Sequence, residues 1–207
     1  MARQLVKGVV IALATIVVLS TLPVAAPRQP TEHVRRVTLS FPAPLVEKAL
    51  LRGYVTVSIP GAGLYTVPGA PLVPVKPLVI KLPYGSKVRY VRVSARTAKL
   101  SGKYRLLPCP QPLKLSPQPK GKARLFKEDP RIYRSSKPYP GRVFEYEVKV
   151  GIDPLTLERA TFVVVRLFPV QYTPATGAIS YVTKATVTVS YVEPPTALRP
   201  AQAVNMI

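Results

Sequence analysis

The sequence predicts an all-β fold: an antiparallel β-sandwich preceded by an N-terminal hydrophobic signal or anchor helix. Three observations predict it. Apolar and polar residues alternate with period two in several short runs, Gly- and Pro-bearing turn signals separate those runs, and no long amphipathic helical pattern intervenes. Period-two alternation places one strand face on a core and the other towards water. Many short strands without crossover helices indicate a sandwich rather than a parallel α/β sheet.

Residues 8–22 are uncharged and mostly apolar, and follow Arg3 and Lys7. A basic start followed by such a run is the pattern of a secretory signal, with small residues for cleavage at Val24-Ala25-Ala26. Left uncut, residues 8–26 suffice to span a bilayer, which takes roughly 17–25 residues. The basic end would then stay cytoplasmic and the following domain would lie outside. Residues 1–26 are therefore assigned to a signal peptide or signal anchor, 34–192 to the folded domain and 193–207 to a Pro-rich tail or linker.

Within the domain, Val37, Leu39 and Phe41 alternate with Arg36, Thr38 and Ser40, and Val55, Val57 and Ile59 alternate with Tyr54, Thr56 and Ser58. Between these two strands, residues 45–51 form the one plausible helical turn, stopped by Gly53. Gly61-Ala62-Gly63 marks a turn. Residues 72–82 carry Pro74 and Pro77, which restricts them to an edge strand or an extended arm. Pro83-Tyr84-Gly85-Ser86 is a turn signal. Residues 88–95 read as a strand and 103–107 as a short one. Five prolines in 108–119 preclude a continuous ladder and predict an arm or irregular loop. Residues 120–142 are polar and basic without periodicity, and a loop of that length inside a compact domain is usually functional or disordered.

Phe144, Tyr146, Val148 and Val150 next alternate with Glu145, Glu147 and Lys149, and residues 161–168 form a β-branched strand. Two apolar runs then flank Pro174-Ala175-Thr176-Gly177, which predicts a β-hairpin. Gly177 supplies the positive φ of a tight connection and Pro174 fixes φ early in the turn. The second run continues through Val187, Val189 and Tyr191 until Pro194 and Pro195 end it.

Charge is unevenly placed. The chain carries +21 overall, and residues 76–142 hold 18 Lys and Arg against only Glu128 and Asp129. From 143 onward five basic residues balance five acids. A one-sign field implies an anionic partner or repulsion between copies. Export makes nucleic acid an unsuitable partner, and no element that reads bases is recognisable. Acidic protein surfaces and anionic cell-envelope polymers or lipids remain. The abundance of proline, the single Asn205 and the many Val, Arg and Lys suit a thermophile's protein, which bears on habitat rather than function.

The catalytic inventory is nearly empty. A nucleophilic cysteine needs a neighbouring base, and the only pair available is Cys109 and His33, with Cys109 set between Pro108 and Pro110. With one Cys and one His, no metal or other cofactor is expected. Glu145 and Glu147 share one strand face flanked by lysine, the pattern of a solvated edge. No phosphate-binding Gly-rich loop occurs, because Gly61-Ala62-Gly63 lacks the Lys-Ser/Thr sequel. What remains is the basic loop. Lys120, Lys122, Arg124, Lys127, Arg131, Arg134, Lys137 and Arg142 are interleaved with Phe126, Tyr133 and Tyr139, and form the candidate partner-binding set. An arginine fork can pair bidentately with a carboxylate in an acidic cleft.

Three stretches in the same order resemble one family. Pro68-Gly69-Ala70-Pro71-Leu72-Val73-Pro74-Val75-Lys76, followed by Leu82-Pro83-Tyr84-Gly85, is similar to the entry segment of the gingipain propeptide-like domain. Ile132-Tyr133-Arg134-Ser135-Ser136-Lys137-Pro138-Tyr139-Pro140-Gly141 resembles that family's "YxSxxPYPG" segment. The hairpin "PVQYxPxTGxxxY" over Pro169 to Tyr181, running on to Thr186-Val187-Thr188-Val189, resembles its last hairpin. The resemblance covers about residues 36–192. It implies a β-sandwich prodomain that caps a caspase-like cysteine peptidase domain, assists its folding and keeps it inactive. No later Cys or His follows here, so the expected partner is a peptidase made separately or encoded in the same precursor. The chain itself is expected to be no enzyme.

Overall fold

The computed structural model describes residues 31–112 and 125–194. In chain order its strands are β1 (Glu32–Ser40), β2 (Leu45–Lys48), β3 (Val55–Ser58), β4 (Gly63–Tyr65), β5 (Val73–Pro83) and β6 (Lys87–Leu100). A four-residue helix α1 (Pro130–Tyr133) follows, and then β7 (Phe144–Ile152), β8 (Arg159–Leu167), β9 (Val170–Thr173) and β10 (Ala178–Val192). The expected signal or anchor segment and most of the tail lie outside the described residues, as do Lys120, Lys122 and Arg124.

The all-β expectation holds. One four-stranded sheet runs β1-β10-β6, with β9 also on β10; the other runs β4-β5-β8-β7; β2 and β3 form a separate pair. Every named pairing is antiparallel. Alternate residues from the two large sheets meet in one core. Val163, Val165 and Leu167 of β8 and Ile80 and Leu82 of β5 join Val182, Ala185, Val187 and Val189 of β10 and Val91 of β6. Val187 and Val189 are period-two positions of the sequence, and each fully buried Val or Leu contributes about 1.5–3 kcal/mol relative to exposure.

One local expectation is corrected and another is narrowed. Residues 45–51 do not form a helical turn. Leu45–Lys48 is a strand whose Val46 lies opposite Val57, and the chain reverses through Ala49 N donating to Tyr54 O at 3.0 Å, with Gly53 at φ 88°. One isolated helical turn fixes many torsions for one hydrogen bond, so pairing with β3 wins. Of the two alternatives for residues 72–82, the edge strand holds and the arm does not. β5 is flanked by β4 at Val73–Val75 and by β8 from Lys76 to Pro83. Because β4 is only three residues long, β5 has a single neighbour beyond Val75 among the described residues. That leaves room for proline in a strand that is otherwise regular.

The predicted hairpin is present: Thr173 faces Ala178, and Gly177 N donates to Thr173 O at 2.9 Å. Gly177 has φ 69°, and a Cβ there would lie 2.8 Å from Tyr104 O and 2.9 Å from Tyr104 N. Glycine is thus required twice over, by torsion and by the close approach of the 104 backbone, whose N–H donates to Gly177 O at 2.8 Å.

Candidate functional site

The described part of the basic segment, residues 125–142, is laced onto the sandwich at several points. Its two acids serve this purpose. Asp129 caps α1, its carboxylate accepting from Arg131 N at 2.9 Å, and Pro130 occupies the first helical turn. A proline there loses no hydrogen bond and its fixed φ suits the helix. Glu128 accepts from Arg105 Nε and Nη2, both at 2.7 Å, and from the Tyr54 hydroxyl at 2.9 Å. The guanidinium beside it and the phenol donor hold the Glu128 carboxyl below its ordinary value.

Backbone contacts complete the attachment. Asp129 N donates to Gly69 O at 2.9 Å, and Gly69 N donates to Cys109 O at 2.9 Å. Gly69 adopts φ 78°, and a Cβ there would press within 3.2 Å of Lys127 O. The Tyr133 hydroxyl donates to Leu106 O at 2.6 Å, and burial pushes its pKa far above the ordinary tyrosine range. Tyr139 and Tyr172 exchange two backbone bonds of 2.7 and 2.9 Å, and burial raises the Tyr139 phenol to about 12.

With both acids so engaged, the cations are left to solvent. Lys127, Arg131, Arg134, Lys137 and Arg142 are all exposed. Among the described residues the first four make no ion pair, whereas Arg142 pairs with Glu145 at 2.6 Å. Arg134 lines a cleft of about 510 Å³ between α1 and the 174–177 turn, together with Tyr104, Arg105 and Tyr172. The arrangement is a braced ledge carrying permanent positive charge, suited to meeting carboxylates. The cations are legible in the sequence, whereas the groups that brace them, Tyr54, Arg105 and Glu128, are brought together only by the fold. The Asp-Pro pair at 129–130 was a legible helix-start signal within a segment read as irregular.

The other candidates resolve differently. Cys109 is buried, and desolvation raises its pKa. Its backbone N–H donates to Ala70 O at 2.7 Å. His33 instead stacks on Tyr191 at 5.5 Å and lies 3.9 Å from Glu193. Glu145 and Glu147 are both bridged by Arg166, at 3.0 and 2.5 Å, and Lys149 reaches Glu147 at 2.8 Å. The pair is a neutralised surface lattice. Among the described residues, no three His, Cys, Asp or Glu side chains converge as metal ligands, and no helix is long and apolar enough to cross a membrane.

The family model Propeptide_C25 matches residues 44–206. Among solved structures, the chain is similar to one of gingipain K from Porphyromonas gingivalis that concerns its zymogenic latency. Identity is 20%, the TM-score 0.61, and the match covers 80% of this chain and 94% of that one. It is also similar to a complex of Porphyromonas gingivalis RgpB pro- and mature domains, at 15% identity and TM-score 0.56, over 80% and 82% of the respective chains. These structural likenesses are likenesses of fold. No curated protein matches the chain.

Proposed function

The chain belongs to the Propeptide_C25 family, and from that premise we propose that it is an exported, non-catalytic prodomain-like module that binds a gingipain-type cysteine peptidase domain, assisting its folding or holding it inactive. The observation that carries this reading is the ledge of residues 125–142. Its only acids are consumed in bracing it, so Lys127, Arg131, Arg134 and Lys137 point their charge outward from a fixed base. A side chain presented from a braced backbone loses less entropy on docking than one on a free arm. In this reading the ledge lies across the substrate cleft, and Arg124, Arg131 or Arg134 fills an acidic pocket there. Lys120, Lys122 and Arg124 belong to the same proposed surface. The test is titration of the full chain into mature gingipain K and mature RgpB. Dose-dependent slowing of peptide hydrolysis supports the reading, and undiminished hydrolysis of both at micromolar chain refutes it.

A second reading rests on a different face. On the outer side of the β1-β10-β6 sheet, cross-strand rows run Arg36–Thr188–Arg92, Thr38–Thr186–Ser94 and Ser40–Lys184–Arg96. Cations flank hydroxyls, and no carboxylate falls in these rows. Such a face suits anionic envelope polymer or lipid, each cation near an anionic membrane contributing about 1 kcal/mol. This reading requires binding to anionic vesicles that collapses with added salt.

A further inference from the structure

The β7 strand combines two features that a finished monomer normally hides. It is the terminal strand of its sheet. Its row of Tyr146, Val148, Val150 and Ile152 is also 45%, 46%, 63% and 65% exposed. The register shows why this is unusual. Tyr146 lies opposite Val165, Val148 opposite Val163 and Val150 opposite Thr161, all three of them buried. The row therefore belongs to the core-facing side of the sheet, yet stands open to solvent. The acids Glu145 and Glu147 occupy the alternate positions and are bridged by Arg166. An apolar face continuous with the core thus sits beside a nine-residue edge whose outward backbone groups pair with no strand among the described residues. Long apolar edges are aggregation-prone unless something covers them.

The turn that ends this strand is built to display apolar groups too. Asp153 is buried and accepts from Leu155 N at 3.0 Å and from the Lys81 ammonium, while Leu157 N donates to Asp153 O at 2.8 Å. So braced, Leu155 and Leu157 stand 91% and 79% exposed, and Leu157 holds φ 58°. A leucine rarely adopts that torsion, and strain of this kind clusters at functional surfaces. Together the six side chains expose on the order of 500 Å² of surface, comparable to the apolar patches that on soluble monomers are often functional.

We propose that the β7 edge and its apolar row, from Tyr146 to Leu157, form the docking rail for the peptidase domain, which adds an extended segment of its own as a strand beside β7. The inference rests on the peptidase-partner reading and assigns it a second contact. Two observations choose this occupant. A second copy would bring another chain of net charge +21 against the first, whereas the basic ledge calls for an acidic partner. Residues 125–152 also carry ledge and rail on one run of chain, joined where Val143 O accepts from Phe168 N at 2.8 Å. In this proposal a partner held by Arg131, Arg134 and Lys137 continues along the chain onto β7. Strand addition takes its affinity from main-chain bonds and its selectivity from alternate side-chain contacts.

Hydrogen–deuterium exchange of the full chain, with and without mature gingipain K or mature RgpB, tests the rail. Exchange of the 144–152 amides should slow at least tenfold in the complex. A Val148→Lys, Val150→Lys double variant should weaken binding at least tenfold while melting like the parent. The gentler Val148→Thr, Val150→Thr pair should shift affinity the same way by a smaller factor. Binding with unchanged β7 exchange and undiminished affinity in both variants overturns the rail and leaves the peptidase reading standing. No binding to either peptidase overturns both. Concentration-dependent protection of β7 without peptidase assigns the edge to a second copy and overturns the proposal.

Discussion

Arg105 and Glu128 are joined by two parallel 2.7 Å bonds, so that one of the two acids in the basic half of the chain clamps the ledge rather than offsetting its charge. Arg105 also lies over the Tyr54 ring, 5.4 Å from its centroid, and the same ring's hydroxyl donates to Glu128. Three residues from distant parts of the sequence therefore fix the root of the ledge. Glu128→Gln should loosen residues 125–134, which keep their backbone bonds and the Tyr133 hydroxyl bond, while leaving the sheets intact. Because the Arg105 side chain is 59% exposed, solvent screening keeps the cost to roughly 1 kcal/mol. Limited trypsin digestion checks this: cleavage after Arg131 and Arg134 should speed several-fold in the variant, with little change in melting midpoint.

The same clamp predicts an acid limit. The folded-state pKa of Glu128 lies below its ordinary 4.5, so its contribution is complete above that value and fades as pH falls through the lower one. Asp153, held low chiefly by Lys81, acts in the same direction. Tyrosine near-UV circular dichroism, unobscured because the chain has no tryptophan, should stay constant from pH 7 to about 5 and decay below about 4. Glu128→Gln should blunt the decay.

Gly177→Ala should be among the most damaging single-methyl changes. The added carbon meets the Tyr104 backbone at 2.8–2.9 Å, and φ 69° disfavours any Cβ. Torsional and steric costs together come to roughly 2–4 kcal/mol. In a protein of this size that lowers the melting midpoint by roughly 5–15 °C, readable by calorimetry.

A matched pair of leucines separates core from surface. Leu167 is 1% exposed and Leu155 is 91% exposed. Leu167→Ala should cost about 3 kcal/mol through lost burial and the cavity left behind. Leu155→Ala should change stability by less than about 0.5 kcal/mol. Chemical denaturation of both variants reads the difference directly.

Much of this was legible in the chain because period-two alternation is local. The buried sets of β8 and β10, the 174–177 connection and the exposed cations of the ledge all follow from neighbouring residues. What escaped depends on contacts far along the sequence. The strand at Leu45–Lys48 exists because β3 pairs with it. The ledge is braced because Arg105 and Tyr54 come to it from 23 and 74 residues away. Alternation in β7 correctly marked a strand with one apolar face, yet it could not show that this face stays exposed.

The central claim is that this sandwich presents a braced cationic ledge to a gingipain-type peptidase. Its most direct test compares the full chain with an Arg131→Ala, Arg134→Ala variant as inhibitors of mature gingipain K and mature RgpB. The account predicts that the parent slows hydrolysis by at least one enzyme at micromolar concentration or below, and that the double variant is at least tenfold weaker with an unchanged melting midpoint. Equal inhibition by parent and variant, or none by either, would contradict it.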